Sequence, residues 1–271
     1  MIDATERQDA AHALLQAEQS RQPIAQVSRT WPAMEIADAY AVQQLWAQAK
    51  VKAGARIVGH KIGLTSRAMQ MASGMNEPDY GVLLDHMVHA DGARICASQF
   101  HRPRLEVELA FVLGKSLGGT RPGGTRPGGR PVTVYDVLDA TAYVTPALEI
   151  IDYRTEVPRS ICDTIADNAA AAAMVTGGRI VRPMDIDLRW VAATLSKNGV
   201  IEESGVSAAV MGHPALGIVW LANKLAGHGI ALEAGHILLA GSFTRPTAVT
   251  AGDTIHADFG PLGSIGVSFT E

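Results

Sequence analysis

The hydrophobic positions change period along the chain. Over residues 10–19, Ala and Leu recur at helical spacing with few breakers, which predicts a helix. Pro32 introduces a second one over about 36–53, with Ala37, Tyr40, Ala41, Leu45 and Trp46 on one side and Gly54 as its stop. Residues 56–64 form a short extended run. Thr65-Ser66 then caps a helix over 67–73. After Pro78 the pattern turns to alternation, clearest over 104–113, which is rich in β-formers. Residues 133–142 predict a helix, and 143–151 a strand that Pro146 confines to an edge or a bulge. The Ala-rich stretch 163–175, before Gly177-Gly178, predicts a helix capped by Asp163. Segments 188–196 and 200–203 flank Asn198-Gly199, the strongest short hairpin signal in the chain. A helix opens at His213-Pro214 and closes at Gly227, and strands follow at 236–240, 254–259 and 263–269.

These elements predict an α+β chain. A helical N-terminal part (residues 1–75) is followed by a mainly antiparallel β body (residues 76–271), without a clean linker between them, so the two form one unit. Strands and helices do not alternate regularly, which disfavours a doubly wound sheet. One segment fits no element. Gly118-Gly119-Thr120-Arg121-Pro122 is followed by Gly123-Gly124-Thr125-Arg126-Pro127, and Gly128-Gly129 begins a third copy. With no apolar anchor, it predicts a mobile surface loop remote from any active site.

Composition narrows the class. Of 271 residues, 47% are hydrophobic and 18% charged, enough apolar material for a sizeable core and too little charge for a disordered chain. A net charge of -4 excludes the concentrated basic surface that nucleic-acid binding needs. Cys96 and Cys162 form no CxxC pair and read as reduced thiols. The N-terminal stretch lacks the apolar core of a signal peptide, and no run approaches a membrane span, so a cytoplasmic protein with no membrane partner is expected. The GxSxG, HExxH, P-loop and GxGxxG signatures are absent.

What remains is carboxylates in apolar strands. Glu106 and Glu108 stand two apart in Leu105-Glu106-Val107-Glu108-Leu109, so both leave one face of a strand. Like charges that close need a cation, a shared proton or water; the pair alone is equally a solvated face. Glu149 shifts the balance, because it is a lone charge in Pro146-Ala147-Leu148-Glu149-Ile150-Ile151, where burial is costly. Three carboxylates on short strands suit Mg²⁺ or Mn²⁺, with positions left for water and substrate. Only six of the 23 basic residues are lysines, and Lys61 lies in the apolar run Val58-Gly59-His60-Lys61-Ile62-Gly63. It is either a proton-transfer group with a lowered pKa or a snorkelling surface lysine. Its neighbour His60 points the other way and reads as structural. Asp79 is either a turn cap or a second proton-handling group. The turn Gly241-Ser242-Phe243-Thr244-Arg245-Pro246 either ends a strand or offers donors to a carboxylate.

Taken together, these stretches resemble the 2-oxo-hepta-4-ene-dioate hydratases, in the hydratase/decarboxylase branch of the fumarylacetoacetase-like family. The matching blocks are Gly59 to Ser66, Glu77 to Leu84, Leu105 to Phe111, Pro146 to Asp152, Ala166-Asp167-Asn168-Ala169, Trp220 to Leu225 and Gly241 to Pro246, in order over nearly the whole chain. The resemblance implies a β-roll-like catalytic body and a ring-shaped homo-oligomer, pentamer or decamer. It implies Mg²⁺ on Glu106, Glu108 and Glu149, Lys61 and Asp79 in the active site, and substrate contacts from Leu83, Ser242 and Thr244. The reaction it implies is addition of water at carbon 4 of a 2-oxo-enoic diacid, with the metal acting as a Lewis acid at the 2-oxygen. Decarboxylation of 2-oxo-3-hexenedioate (4-oxalocrotonate), hydration of 2-hydroxypentadienoate, cleavage of an acylpyruvate and a non-catalytic scaffold are the alternatives. The turn at Gly241 resembles the diacid hydratases more than the pentadienoate ones. Residues 153–159 are shorter than in the diacid hydratases, which bears on the pocket rim.

Overall fold

A computed structural model describes residues 1–119 and 130–271. The expectation of a mobile loop concerns mostly residues 120–129, which lie outside the described residues.

Three helices open the chain: α1 (Ala4–Ser20), α2 (Val27–Thr30) and α3 (Ile36–Lys52). Helix α1 begins six residues before the apolar pattern does, because Asp3 and Glu6 form a reciprocal capping box there. Then come β1 (Ile57–Gly63), α4 (Arg67–Ala72), β2 (Asp79–Leu84), β3 (Val88–Ala90), β4 (Ala93–Cys96), β5 (Arg104–Leu113) and β6 (Leu117–Gly118). Next are α5 (Val134–Ala140), β7 (Thr141–Ile151), α6 (Ile161–Ala166), β8 (Ala171–Thr176), β9 (Ala192–Lys197), β10 (Val200–Val206) and α7 (Ala215–Ala226). The chain ends with β11 (Ala231–Leu232), β12 (Ile237–Leu239), β13 (Thr247–Ala248), β14 (Thr254–Asp258) and β15 (Ser264–Thr270).

The larger sheet runs β2-β1-β12-β5-β7-β8-β3, with β13 also on β5; a second runs β10-β9-β14-β15-β4. Most ladders are antiparallel, but β1 with β12, β15 with β4 and β3 with β8 are parallel, so the body is mixed. Leu83 on β2 and Met174 on β8, far apart in strand order, share one cluster with Ala110, Ala147 and Leu239. The large sheet is therefore rolled upon itself. Its convex face carries Leu105, Val107, Leu109 and Phe111 of β5 against Ile255, Val267 and Phe269 of the second sheet and Ile218 and Leu221 of α7. Each such fully buried side chain contributes about 1.5–3 kcal/mol. A second cluster joins Leu14, Val42 and Trp46 of the helices to Val82 and Leu84 of β2.

Two local expectations fail. Residues 163–175 are not one helix. Helix α6, capped by Ser160, ends at Ala166, and Asn168, Ala169 and Ala170 then take left-handed φ of 52, 50 and 62°. The alanines that follow pair with β7 as strand β8. Helix propensity is a weak prior, and here sheet pairing overrides it. Nor is β7 an edge strand: it lies between β5 and β8, with its irregularities at its two ends, where the register with each neighbour shifts, and not at Pro146. Pro146 is tolerated because its backbone faces β8 just past that strand's end at Thr176, where only Gly177 N–H reaches the Pro146 carbonyl, at 3.4 Å. The hairpin at Asn198-Gly199 forms as its sequence predicts, with φ of 53 and 82°. Both cysteines are free thiols, and among the described residues no helix is long and apolar enough to cross a membrane.

Candidate active site

Register places the carboxylates. In the β5–β7 ladder Glu106 stands opposite Glu149 and Glu108 opposite Ala147. Residues opposite each other share a face, so all three glutamates leave the concave side of the roll. One carboxylate oxygen from each lies within 4.8 Å of the others. Glu108 and Glu149 are fully buried and Glu106 half-buried.

Lys61 reaches the same side from β1. It pairs with Leu239 of β12, which in turn pairs with Ala110 of β5. Its Nζ lies 3.3 Å from Glu149 Oε1. Asp79 comes from β2, opposite Gly63. A Cβ at Gly63 would overlap Asp79 Oδ1 and sit 3.4 Å from Lys61 Nζ, so only glycine leaves room for the pair. Two contacts steady the segment that bears Asp79. Glu77 accepts from Lys224 Nζ at 2.7 Å and from Trp220 Nε1 at 3.2 Å. Asn168 accepts from Val82 N–H at 2.7 Å and donates to its carbonyl at 3.0 Å, pinning the outer edge of β2.

Electrostatics follow from this crowding. Burial and the Glu149 charge push Glu106 up to about 7, against Lys61. Burial and its two glutamate neighbours hold Glu108 well above the carboxylate range. Glu149 and Asp79 are raised by burial too, each opposed by Lys61, and Asp79 by Arg159 as well. Burial pulls the Lys61 ammonium down, but Glu149, Asp79, Glu106 and Glu108 outweigh it and leave it above its ordinary value. The sequence reading of a lowered lysine pKa is thus corrected: the carboxylates that make the site unusual also hold its cation charged. His60 is packed rather than chemical. Burial lowers it to about 3, with a further push from His236.

Among the described residues, Asp79 Oδ1, Glu108 Oε1 and both oxygens of Glu149 are buried without a hydrogen-bond donor, Glu149 Oε1 having only its ion pair with Lys61. Orphaned buried carboxylate oxygens are costly. An oxygen-only donor set with raised carboxyl pKa values fits a hard divalent cation in place of shared protons.

An open cavity of about 1130 Å³ fronts these groups, lined among others by Lys61, Asp79, Glu106, Thr65, Ser242 and Thr244. Leu83 is absent from its lining; the side chain packs behind the carboxylates with Ala110, Ala147, Met174 and Leu239. The turn at Gly241 offers its backbone donor to a carboxylate, as its sequence allows, but that carboxylate is Glu108, and its serine hydroxyl turns to backbone carbonyls. Gly241 N–H donates to Glu108 Oε2 at 2.8 Å, and the Ser242 hydroxyl lies 2.9 Å from the Thr244 carbonyl and 3.3 Å from that of Val107. Gly241 has φ +113°, and a Cβ there would overlap Thr65 Oγ1. Arg159 and Tyr153 line the cavity as well. Sequence reading placed them only on a shortened rim segment, since no local pattern tells where a loop arginine will fold.

The model of the fumarylacetoacetate (FAA) hydrolase C-terminal region matches residues 51–269. The chain belongs to the fumarylacetoacetate hydrolase family. Within the family it is 50% identical to the 2-oxo-hept-4-ene-1,7-dioate hydratase of Escherichia coli, over 96% of each chain. It is 38% identical to a 2-keto-4-pentenoate hydratase of Paraburkholderia xenovorans, over 97% of this chain and 95% of the other. Its fold matches that of 4-oxalocrotonate decarboxylase from Pseudomonas putida G7, complexed with magnesium and adipate, with a TM-score of 0.92, 34% identity and 99% of each chain covered.

Proposed function

We propose that this chain is a divalent-metal-dependent hydro-lyase that adds water to 2-oxohept-4-ene-1,7-dioate, giving 4-hydroxy-2-oxoheptanedioate, in meta-cleavage aromatic catabolism in the cytoplasm. One observation carries the reading: three glutamates, two of them fully buried, converge beside a Lys61–Asp79 pair in a chain half identical to a hydratase of that substrate. Glu106, Glu108 and Glu149 would hold Mg²⁺, or Mn²⁺ in its place, and the bound ion supplies a Lewis acid at the substrate's 2-oxygen. Lys61, kept as an ammonium, is the donor suited to protonating carbon 5 of a 2-hydroxy-dienoate. Asp79, raised by burial, is the acceptor suited to the proton of the water that adds at carbon 4. The parts 1–75 and 76–271 act as one unit, because Lys61 lies in the first and the glutamates in the second.

Decarboxylation of 4-oxalocrotonate can use the same carboxylate platform, but 50% identity to the hydratase against 34% to the decarboxylase structure favours hydration. With 2-hydroxyhepta-2,4-diene-1,7-dioate and Mg²⁺, mass spectrometry should show a product heavier by one water, with no CO₂ released. Stoichiometric CO₂ without a hydrated product would reverse the assignment.

The carboxyl groups also set a pH dependence. Glu106 is raised to about 7, so the metal-free fold binds more protons than the unfolded chain between about 4.5 and 7. Its contribution to stability therefore falls as pH rises through that window. Mg²⁺ must displace those protons, so its apparent affinity should drop below pH 7 and its binding should release protons. Calorimetry in buffers of different ionisation enthalpy reads that release; an affinity independent of pH from 6 to 8 contradicts it.

The assembly is proposed to be a ring-shaped homo-oligomer. Tyr135 and Met184, 77% and 74% exposed, share one surface groove with Asp139, Arg182 and Asp185, exposed apolar side chains in a charged surround suited to a second copy. Light scattering should give a mass several times that of the chain, and Met184→Glu should lower it.

A further inference from the structure

Besides Lys61, the cavity contains a buried cation left over by the fold. Arg159 is only 11% exposed at its side chain. Its guanidinium carbon lies 3.5 Å from the centre of the Tyr153 ring, which fixes the plane of the group. Its Nη1 is buried and has no hydrogen-bond acceptor among the described residues. The carboxylate paired with it, Asp167, is 3.7 Å away, too far for a hydrogen bond. Asp167 is also already engaged by Arg154, whose backbone N–H donates to Oδ2 at 2.9 Å and whose Nη1 donates to Oδ1 at 2.7 Å. A desolvated guanidinium with an unused donor is costly unless an anion completes it.

The rest of the cavity makes this donor the natural terminus for an anion. The Ser242 hydroxyl bonds within its own turn, and Gly241 N–H is bound to Glu108. Arg245 is 85% exposed and paired with Glu203 at 2.9 Å. Arg104 also lines the cavity but is exposed.

We propose that Arg159 is the specificity-determining residue that receives the distal carboxylate of the substrate, held in place by Tyr153. The inference rests on the diacid reading above and supplies its selectivity. A guanidinium matches a carboxylate with parallel N–H donors. A monoacid of the same length leaves the buried Nη1 of Arg159 without an acceptor, and that penalty is what rejects it.

The test uses the Mg²⁺-loaded protein and a binding readout that needs no turnover. Calorimetry compares 2-oxoheptanedioate with 2-oxoheptanoate, which differ only at carbon 7, where a carboxylate is replaced by a methyl. The native chain should prefer the diacid by about 10²-fold, on the scale of lost charge-assisted hydrogen bonds. Arg159→Met should erase most of that preference by weakening the diacid, with the monoacid changed less than about twofold; Arg159→Lys should keep part of it. Equal losses on both ligands, no preference in the native chain, or loss of preference in Arg104→Met but not in Arg159→Met would each overturn the proposal. A native chain that binds the diacid selectively through Arg159 yet does not hydrate it would defeat the hydratase reading and leave the role of Arg159 standing.

Discussion

Glu149→Gln should abolish turnover even at saturating Mg²⁺, with a loss of about 10³-fold or more, whereas Glu106→Gln should recover much of its activity as Mg²⁺ is raised. Glu149 has two duties. It contributes an oxygen to the three-carboxylate cluster, and it lies 3.3 Å from Lys61 Nζ. Replacing it removes an anionic ligand and also the first among the charges that hold Lys61 protonated. Several kcal/mol of Lewis-acid stabilisation and a proton donor are then impaired together, which is a loss of this order. Half-buried Glu106 has no such ion pair among the described residues, so its glutamine variant chiefly loses metal affinity. Titrating kcat against Mg²⁺ in the two variants distinguishes these cases. Full rescue of Glu149→Gln by Mg²⁺ would mean that its contact with Lys61 has no catalytic weight.

Lys61→Ala should lower kcat by about 10²–10⁴-fold, the range for a general acid, while Mg²⁺ binds at least as tightly as before. The sign of the second effect comes from charge: the ammonium sits among the same carboxylates that would hold the cation, and repels it. A group working in the transition state shows this split between kcat and metal affinity. Lys61→Arg should not restore activity, since a guanidinium keeps its protons and fills more of the space beside Gly63. A parallel fall in Mg²⁺ affinity would instead make Lys61 a structural support of the cluster.

Much of this site was legible in the sequence because strand periodicity is a strong constraint. A spacing of two put Glu106 and Glu108 on one face, and Glu149 betrayed itself as a charge no apolar strand would carry without a partner. The lysine was equally visible, but its protonation was not, since that depends on carboxylates from other strands, Glu149 and Asp79 first among them. Local propensity misled at Ala171 to Val175, where alanines good for a helix pair with β7. It misled again at Pro146, whose tolerance depends on where a neighbouring strand stops. Hydroxyls at Ser242 and Thr244 looked free for a ligand; the fold directs the serine back into its own turn. The mixed strand directions arise from long crossovers that no local pattern encodes.

Two glycines, Gly63 lining the cavity and Gly241 just behind its Ser242 wall, bear on its redesign. At Gly63 a first carbon of side chain would run into Asp79, and at Gly241 into Thr65. At these two points the backbone is therefore pressed against neighbouring side chains, and neither can take a new side chain to line the chamber. Its shape can be altered from the rim, where Val157, Ile201 and Thr164 stand. Relatives that accept shorter or longer acids would then differ mainly along those loops, with the chemistry carried unchanged beneath a replaceable lip.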